Sequence, residues 1–294
     1  MGQLVDGKWS TENVLVQHDA KGLYFKRDSV FRERISSEAK SEFPAEPGRY
    51  HLYCAVACPW AHRATLMRTL KRLEPFVTLT NTFQEPGGQG WSFGEAGHIV
   101  PGTDRRVRWL HELYTIADPA CTTRVTVPTL WDAKTRRIVN NESSEIIRIF
   151  NSAFTGVAQP TPDYYPEALR PAIEATNALV LKGVNNAVNG CGYSISQQAY
   201  DSSVKLLFET LMKGSADSFA LRNHGMKAVL PNIFPERAFS TDYMRKDLGY
   251  ALDLAENVGA KIHGAELAAR LLEEASEAGF GDFYWPVVSR VIGA

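Results

Sequence analysis

This sequence of 294 residues has almost no net charge and no long apolar run. Its 32 lysine and arginine residues are balanced by 33 acidic residues, for a net charge of −1, which disfavours nucleic acid as a partner. No apolar stretch approaches the ~18 residues of a membrane-spanning helix, so we expect no membrane partner. Residues Met1–Asp6 lack a signal-peptide pattern, and Asp6 stands where the myristoylation pattern requires serine or threonine. These absences predict a cytoplasmic globular protein.

Cysteine is also scarce. The four cysteines are Cys54, Cys58, Cys121 and Cys191, and no two of them are spaced as Cys-x-x-Cys. This pattern argues against a disulfide framework and against a cysteine-based zinc site, so we expect no metal. It is typical of a protein that works in a reducing compartment.

Cys58 lies where a predicted strand meets a predicted helix. Residues 49–56 are rich in aromatic and aliphatic side chains, which predicts a buried strand. Pro59 suits a first helical turn because its missing N–H would have no partner there. The free N–H groups and the dipole at a helix N-terminus favour a thiolate, so we interpret Cys58 as a nucleophile. The alternative is a buried structural cysteine.

The next segments complete a βαβ unit. Residues Phe76–Thr80 predict its second strand, and the crossover should be right-handed. A long loop follows over residues 84–106. Its glycines miss the Gly-x-Gly-x-x-Gly spacing and no helix pattern follows them, so we reject a dinucleotide loop. Trp91 in this loop is either a ligand contact or a core residue. A short helix is predicted over Val107–Ala117.

A proline marks the start of the following strand. Pro128 cannot donate to a sheet ladder. Such a proline is often cis, which leaves the N–H and C=O of the preceding residue, Val127, free for a ligand. Residues Lys134–Arg137 predict a hairpin turn, and Ile138–Asn140 its return strand.

Residues 140–147, Asn-Asn-Glu-Ser-Ser-Glu-Ile-Ile, predict a helix N-terminus. Ordinary capping explains Asn141 and one serine, but it does not require the whole polar run. A serine hydroxyl with free N–H groups binds a carboxylate, and Glu142 beside it would hold an ammonium group. The stretch therefore fits the end of a ligand that carries both charges of an amino acid.

These motifs resemble one family. The order of elements is that of the thioredoxin-like domain of glutathione transferases, and the match to the Xi class, the glutathionyl-hydroquinone reductases, is closer still. The segments that carry this resemblance are Tyr-His-Leu-Tyr, Ala-Cys-Pro-Trp-Ala-His-Arg, Gly-Trp-Ser-Phe, Val-Thr-Val-Pro and Val-Asn-Asn-Glu-Ser-Ser-Glu-Ile-Ile-Arg. The resemblance implies an α/β thioredoxin-like N-terminal domain followed by an all-α domain. We expect an extended arm on the first domain over 1–48, attached through Phe25, Phe31 and Phe43. A glutathione-binding domain over 49–155 and a helical domain over 163–294 should follow.

The resemblance also implies roles for residues that would bind glutathione. Trp91 would contact the tripeptide, and Arg108 would neutralise its glycyl carboxylate. Val127 would pair its backbone with the cysteinyl part. Glu142 and Ser143 would hold the γ-glutamyl ammonium and carboxylate, in agreement with the interpretation from charge and capping.

The second half departs from this family. Asn189 stands where the family has a phenol, with Tyr193 as a shifted alternative. After Leu211 the sequence resembles the C-terminal helical domain of 3-hydroxyisobutyrate-type dehydrogenases, for example over Phe239–Leu252. We place the start of this tail at about residue 212 and interpret the dehydrogenase-like Lys182–Asn185 as a coincidence. No glycine-rich strand-turn-helix precedes the tail, so nothing would hold a pyrophosphate.

We therefore expect an enzyme that removes glutathione from glutathionyl-hydroquinones, with glutathione as co-substrate and an aromatic thioether as substrate. The nucleophile implied by the resemblance is Cys58, and the resemblance allows a homodimer. Two alternatives stay open. One is a fragment of an NAD-dependent hydroxyacid dehydrogenase, and the other is a glutathione-binding module without turnover.

Overall fold

The strands of the protein are short and precede the helical part of the chain. The computed structural model describes residues 2–12, 17–25, 28–38 and 40–292. Its strands are β1 (Gln3–Val5), β2 (Lys8–Ser10), β3 (Gln17–His18), β4 (Tyr24–Phe25), β5 (Tyr50–Cys54), β6 (Val77–Asn81), β7 (Phe83–Gln84), β8 (Trp91–Ser92), β9 (His98–Ile99), β10 (Arg106–Val107), β11 (Thr123–Arg124), β12 (Thr129–Asp132) and β13 (Arg137–Asn140). The α-helices are α1 (Pro59–Leu70), α2 (Leu110–Ala117), α3 (Ser143–Ser152), α4 (Arg170–Val180), α5 (Asn186–Tyr193), α6 (Gln197–Leu211), α7 (Thr241–Asn257) and α8 (His263–Ala275).

The chain divides into two compact units. The first comprises Met1–Gln17 and Lys26–Ala175, and the second comprises His18–Phe25 and Thr176–Ala294. Part of the predicted arm thus groups with the helical unit, where Ile195 N donates to Gly22 O at 3.0 Å, whereas the sequence placed the whole arm on the first domain. No helix in the described ranges has the length and apolar character that crossing a membrane requires.

The first unit is built on a four-stranded sheet in the order β13-β12-β5-β6. Strands β5 and β6 are parallel and joined by α1, so they form the predicted βαβ unit, while β12 pairs antiparallel with both neighbours. Leu52 lies opposite Leu130 on one side and Leu79 on the other. Every residue of β5 is buried, which explains its aromatic and aliphatic sequence.

The N-terminal arm is more structured than predicted. Strands β1 and β2 form a hairpin, and β1 also pairs with β11 to make a three-stranded sheet. Of the three phenylalanines expected to attach the arm, Phe43 is buried and Phe31 packs edge-on against Tyr114. Phe25 is 45% exposed, so its prediction as an attachment point is wrong.

Two predicted elements need correction. The long loop contains two small hairpins, formed by β7 with β8 and by β9 with β10. Helix α2 begins at Leu110 and not at Val107. The reason is that the Glu112 carboxylate accepts hydrogen bonds from the N–H groups of Arg108 and Trp109, both at 2.8 Å, and so satisfies donors at the helix start.

The second unit is helical in the part of it that the structure describes after residue 176. Besides α5 to α8 it contains π-helical segments at Leu181–Asn185, Ala220–Val229 and Ser276–Phe280, and a 3₁₀ segment at Trp285–Arg290. A small core forms around Ala228, Phe234 and Val287. The buried apolar residues of the last two α-helices are Ala255 of α7 and Leu272 and Ala275 of α8.

Candidate active site

Cys58 is the residue that precedes the first turn of α1. Its backbone is extended, with φ −101° and ψ 111°, and Pro59 follows in the first helical turn. The carbonyl of Cys58 accepts from His62 N at 3.0 Å, so the helix begins at the cysteine itself. The side chain is half-buried, and its Sγ lies 3.7 Å from the carbonyl oxygen of Val127. This placement presents the sulfur at the positive end of the helix dipole.

Cys54 and Cys121 differ from Cys58 in their surroundings. Both are buried, and burial raises the pKa of each thiol to about 11. The hydroxyl of Thr65 donates to Cys54 Sγ at 3.3 Å. The alternative interpretation, a buried structural cysteine, therefore describes Cys54 and Cys121, while Cys58 keeps access to solvent.

The peptide bond between Val127 and Pro128 is cis, as the sequence predicted. Strand β12 begins at the next residue, Thr129, which lies opposite Tyr53 of the central strand β5. In the described part of the chain, no residue accepts a hydrogen bond from Val127 N–H. The backbone of Val127 therefore offers a donor and an acceptor next to Cys58.

Glu142 and Ser143 lie at the N-terminus of α3, where Arg63 from α1 meets them. Arg63 donates from Nε and Nη2 to Ser143 Oγ, at 3.1 and 2.7 Å. Its Nη2 also lies 3.8 Å from Glu142 Oε1. The other carboxylate oxygen of Glu142 accepts from Ser29 Oγ at 3.0 Å. A carboxylate, a hydroxyl and a guanidinium thus converge within one turn of a helix N-terminus.

The predicted capping by Asn141 is wrong. The capping residue is Glu142, whose side chain accepts from Ser144 N at 3.3 Å. Asn141 instead accepts from Phe31 N through its side chain, at 3.2 Å, and donates to Phe31 O through its backbone, at 3.1 Å. The asparagine therefore ties the arm to this end of the sheet, and Glu142 is left to face the helix start.

Trp91 and Arg108 belong to a second group of residues, centred on Glu85. Trp91 is half-buried in β8, opposite Gln84. Arg108 Nη2 donates to one carboxylate oxygen of Glu85 at 2.9 Å, and Ser92 Oγ donates to the other at 2.7 Å. These hydrogen bonds, from Ser92 first and then Arg108, lower the pKa of Glu85. The side chain of Arg108 remains 47% exposed.

The structure thus joins Cys58, Val127, Arg63, Glu142 and Ser143 around the start of α1. Helix α1 packs on α3, and Cys58, the residue before α1, lies 3.7 Å from Val127 O through its Sγ. No hydrogen bond or ion pair among the described residues links this group to Trp91 and Arg108. No cluster of metal-binding side chains was found in the same residues.

Sequence reasoning assigned no role to three residues near these groups, namely Ser29, Arg63 and Glu85. Only Arg63 had a usable signal, since it lies five residues after Cys58 in the same helix start. Ser29 lies 113 residues from Glu142. Glu85 lies 23 residues from Arg108 and seven from Ser92, so no helix or strand pattern within a few residues indicates these contacts.

Comparison with known proteins identifies the family of the chain. A family model described as the N-terminal domain of glutathione S-transferase matches residues 57–153. The glutathionyl-hydroquinone reductase of Escherichia coli K12 is 41% identical over 223 residues, which cover 72% of this chain and 67% of that protein. An Xi-class glutathione transferase structure from Natrialba magadii is 35% identical, with a TM-score of 0.63, covering 72% of this chain and 65% of that one. The chain belongs to the Xi-class glutathione transferases.

A glutathionyl-hydroquinone reductase of Sphingobium chlorophenolicum is also similar to this Xi-class chain. It is 42% identical over 214 residues, covering 72% of this chain and 66% of that protein. The glutathione-bound structure of the Escherichia coli homologue is 37% identical, with a TM-score of 0.59, and covers 72% of this chain and 65% of that one. The Xi-class chain therefore matches about two thirds of the length of these relatives.

A second family model matches the other end of the Xi-class chain. It is described as the NAD-binding domain of NADP-dependent 3-hydroxyisobutyrate dehydrogenase and covers residues 179–283. The dehydrogenase-like tail is thus confirmed, and the match begins at residue 179 rather than at about 212. It therefore includes Lys182–Asn185, the segment interpreted above as a coincidence.

Proposed function

We propose that this protein is a glutathione-dependent reductase that removes glutathione from glutathionyl-hydroquinones. The observation that carries the proposal is Cys58 at the start of α1, with its Sγ 3.7 Å from Val127 O beside the cis peptide bond. Curated relatives named glutathionyl-hydroquinone reductase support the substrate class. We expect the protein to act in the cytoplasm.

In the proposed reaction, the thiolate of Cys58 attacks the thioether sulfur of the glutathionyl-hydroquinone. A sulfur–sulfur bond to glutathione forms while the bond from sulfur to the ring carbon breaks. The ring carbon keeps the bonding electrons and takes a proton, so the ring is reduced to the hydroquinone. The thiolate of a second glutathione then attacks the Cys58–glutathione mixed disulfide, releases oxidised glutathione and regenerates the cysteine. One cysteine is sufficient for this cycle.

The surrounding groups would hold glutathione in this cycle. Val127 would pair its N–H and C=O with the cysteinyl part of the tripeptide. Glu142 and Ser143 would bind the γ-glutamyl ammonium and carboxylate. Trp91 would contact the tripeptide near the exposed guanidinium of Arg108, which would face the glycyl carboxylate. An assembly as a homodimer belongs to the same proposal.

The experiment is a comparison of wild type with Cys58→Ser, using glutathionylated menadiol and added glutathione. Wild type should release menadiol and show one glutathione adduct at Cys58 by mass spectrometry. Cys58→Ser should lose turnover and still bind glutathione, because the proposed binding contacts lie mostly on other residues. Cys191→Ser, at another half-buried cysteine, is the matched control and should keep its activity. An adduct at Cys54 would contradict the assignment of the nucleophile.

A further inference from the structure

Arg63 directs two of its N–H groups at one hydroxyl oxygen. The Nε and Nη2 atoms lie 3.1 and 2.7 Å from Ser143 Oγ. The two residues are 80 positions apart and come from the starts of α1 and α3. The guanidinium also lies over the ring of Trp60, with its carbon 5.0 Å from the ring centre. The side chain is therefore fixed from two sides.

This contact determines what the Ser143 hydroxyl does. A guanidinium has five N–H donors and no acceptor, so Ser143 Oγ must accept both hydrogen bonds. A hydroxyl has two lone pairs and one proton, and the two lone pairs are engaged by Arg63. The hydroxyl proton is then directed away from Arg63 and is available to donate to a ligand. Ser143 is thereby fixed as a hydrogen-bond donor.

The charges around Ser143 also favour a ligand group that accepts a hydrogen bond. Burial lowers the pKa of Arg63, and the nearby Glu142 carboxylate partly opposes this effect, but an arginine stays protonated in proteins. Arg148 adds a second positive charge that acts on Arg63. The N-terminus of α3 is also positive. A negatively charged group beside Ser143 is therefore favoured, while Glu142 is the acceptor for a positive group.

We propose that Arg63 is a positioning residue that fixes Ser143 as a hydrogen-bond donor and so selects a carboxylate at the γ-glutamyl end of the ligand. This inference rests on the proposed function, since it assumes that glutathione binds at Glu142 and Ser143. Discrimination between ligands with and without the α-carboxylate then depends on Arg63, a residue of the helix that follows Cys58.

The test compares two ligands by titration calorimetry. One is glutathione, and the other is 4-aminobutyryl-cysteinylglycine, which is glutathione without the α-carboxylate. Arg63→Ala should weaken glutathione binding by roughly ten- to one-hundred-and-fifty-fold, the range of one charge-assisted hydrogen bond. Its affinity for the analogue should change less than about threefold, well below the effect of one such bond. In a Ser143→Ala background, Arg63→Ala should add little, because both changes remove the same contact.

Two variants serve as controls. Arg105→Ala removes an exposed arginine of the same unit and should bind both ligands like wild type. Arg63→Lys keeps the charge but lacks the planar pair of donors, so its glutathione affinity should lie between those of wild type and Arg63→Ala. If Arg63→Ala does not fold, the affinities of Arg63→Lys for the two ligands provide the test instead.

Three results would overturn the inference. They are equal losses for the two ligands, an unchanged glutathione affinity in both Arg63 variants, and a full additional loss in the Ser143→Ala background. Failure of wild type to bind glutathione would instead refute the proposed function on which the inference rests. The wild-type titration therefore separates the two failures.

Discussion

Glu142→Gln is the change that tests the amino-acid end of the candidate site most directly. The carboxylate of Glu142 accepts from Ser144 N at 3.3 Å, Ser144 Oγ at 3.0 Å and Ser29 Oγ at 3.0 Å. The amide of glutamine keeps one oxygen that can still cap α3, but it carries no negative charge. The substitution therefore removes the charge that would hold an ammonium group and keeps most of the local structure.

The contacts of Glu142 set the size of the expected changes in glutathione affinity and in stability. Loss of one charge-assisted hydrogen bond costs about 1.5–3 kcal/mol, so the Kd for glutathione should rise roughly ten- to one-hundred-and-fifty-fold. Complete loss of an N-cap side chain costs about 0.5–2 kcal/mol in stability. Because the glutamine oxygen still accepts from Ser144 N, the free energy of unfolding should fall by less than about 1 kcal/mol.

The assay is titration calorimetry with glutathione, paired with urea unfolding of each variant. Ser144→Ala is the matched control, since it removes a hydroxyl partner of Glu142 and keeps the carboxylate. Its glutathione affinity should stay within about threefold of wild type, less than one charge-assisted bond is worth. A wild-type Kd in Glu142→Gln would show that residues 140–147 are only a helix start. A large loss in Ser144→Ala would indicate that the cap, and not the charge, determines affinity.

Three further predictions concern other parts of the chain. Asp132→Asn should destabilise the protein by about 3–5 kcal/mol in urea unfolding, because Asp132 is fully buried and accepts from Arg49 Nε at 2.9 Å. Burial alone would raise the pKa of Asp132, but hydrogen bonds, chiefly from Arg49, lower it. The stabilisation is therefore present above the unfolded pKa of about 3.9, and the difference in stability between variant and wild type should shrink as the pH falls below that value. Trp9→Ala should lower the free energy of unfolding by about 1–3 kcal/mol and weaken glutathione binding. The Trp9 ring stacks on His111, with 4.7 Å between the ring centres, and His111 forms a hydrogen bond with Gln89 in the loop that carries Trp91. An unchanged glutathione affinity would show that the loop does not need this support. Calorimetry with NAD or NADP at millimolar concentration should show no saturable heat, because no glycine-rich strand-turn-helix that could hold a pyrophosphate precedes the dehydrogenase-like tail in the sequence. Micromolar binding of either dinucleotide would contradict this.

Local sequence was sufficient for the elements around the candidate site. A strand of large apolar residues followed by Cys58 and Pro59 predicts the start of α1, because proline suits a first helical turn. Pro128 predicts the start of β12 and its cis bond. The polar run at 140–147 predicts the start of α3. In each of these three cases, the residues that predict the start of the element and the interactions that cause it lie within a few positions of each other.

The sequence by itself thus determined the thioredoxin-like order of elements, the position of Cys58 at a helix start and the resemblance to two families. Only the tertiary structure decided that Arg63 reaches Ser143, that Ser29 and Glu142 meet, and that Glu85 joins Arg108 to Ser92. It also decided that Glu142, and not Asn141, caps α3. The physical reason is that helix and strand signals come from neighbouring residues, whereas a side chain's hydrogen-bond partner depends on which distant segments the packed sheet and helices bring within about 3 Å of it.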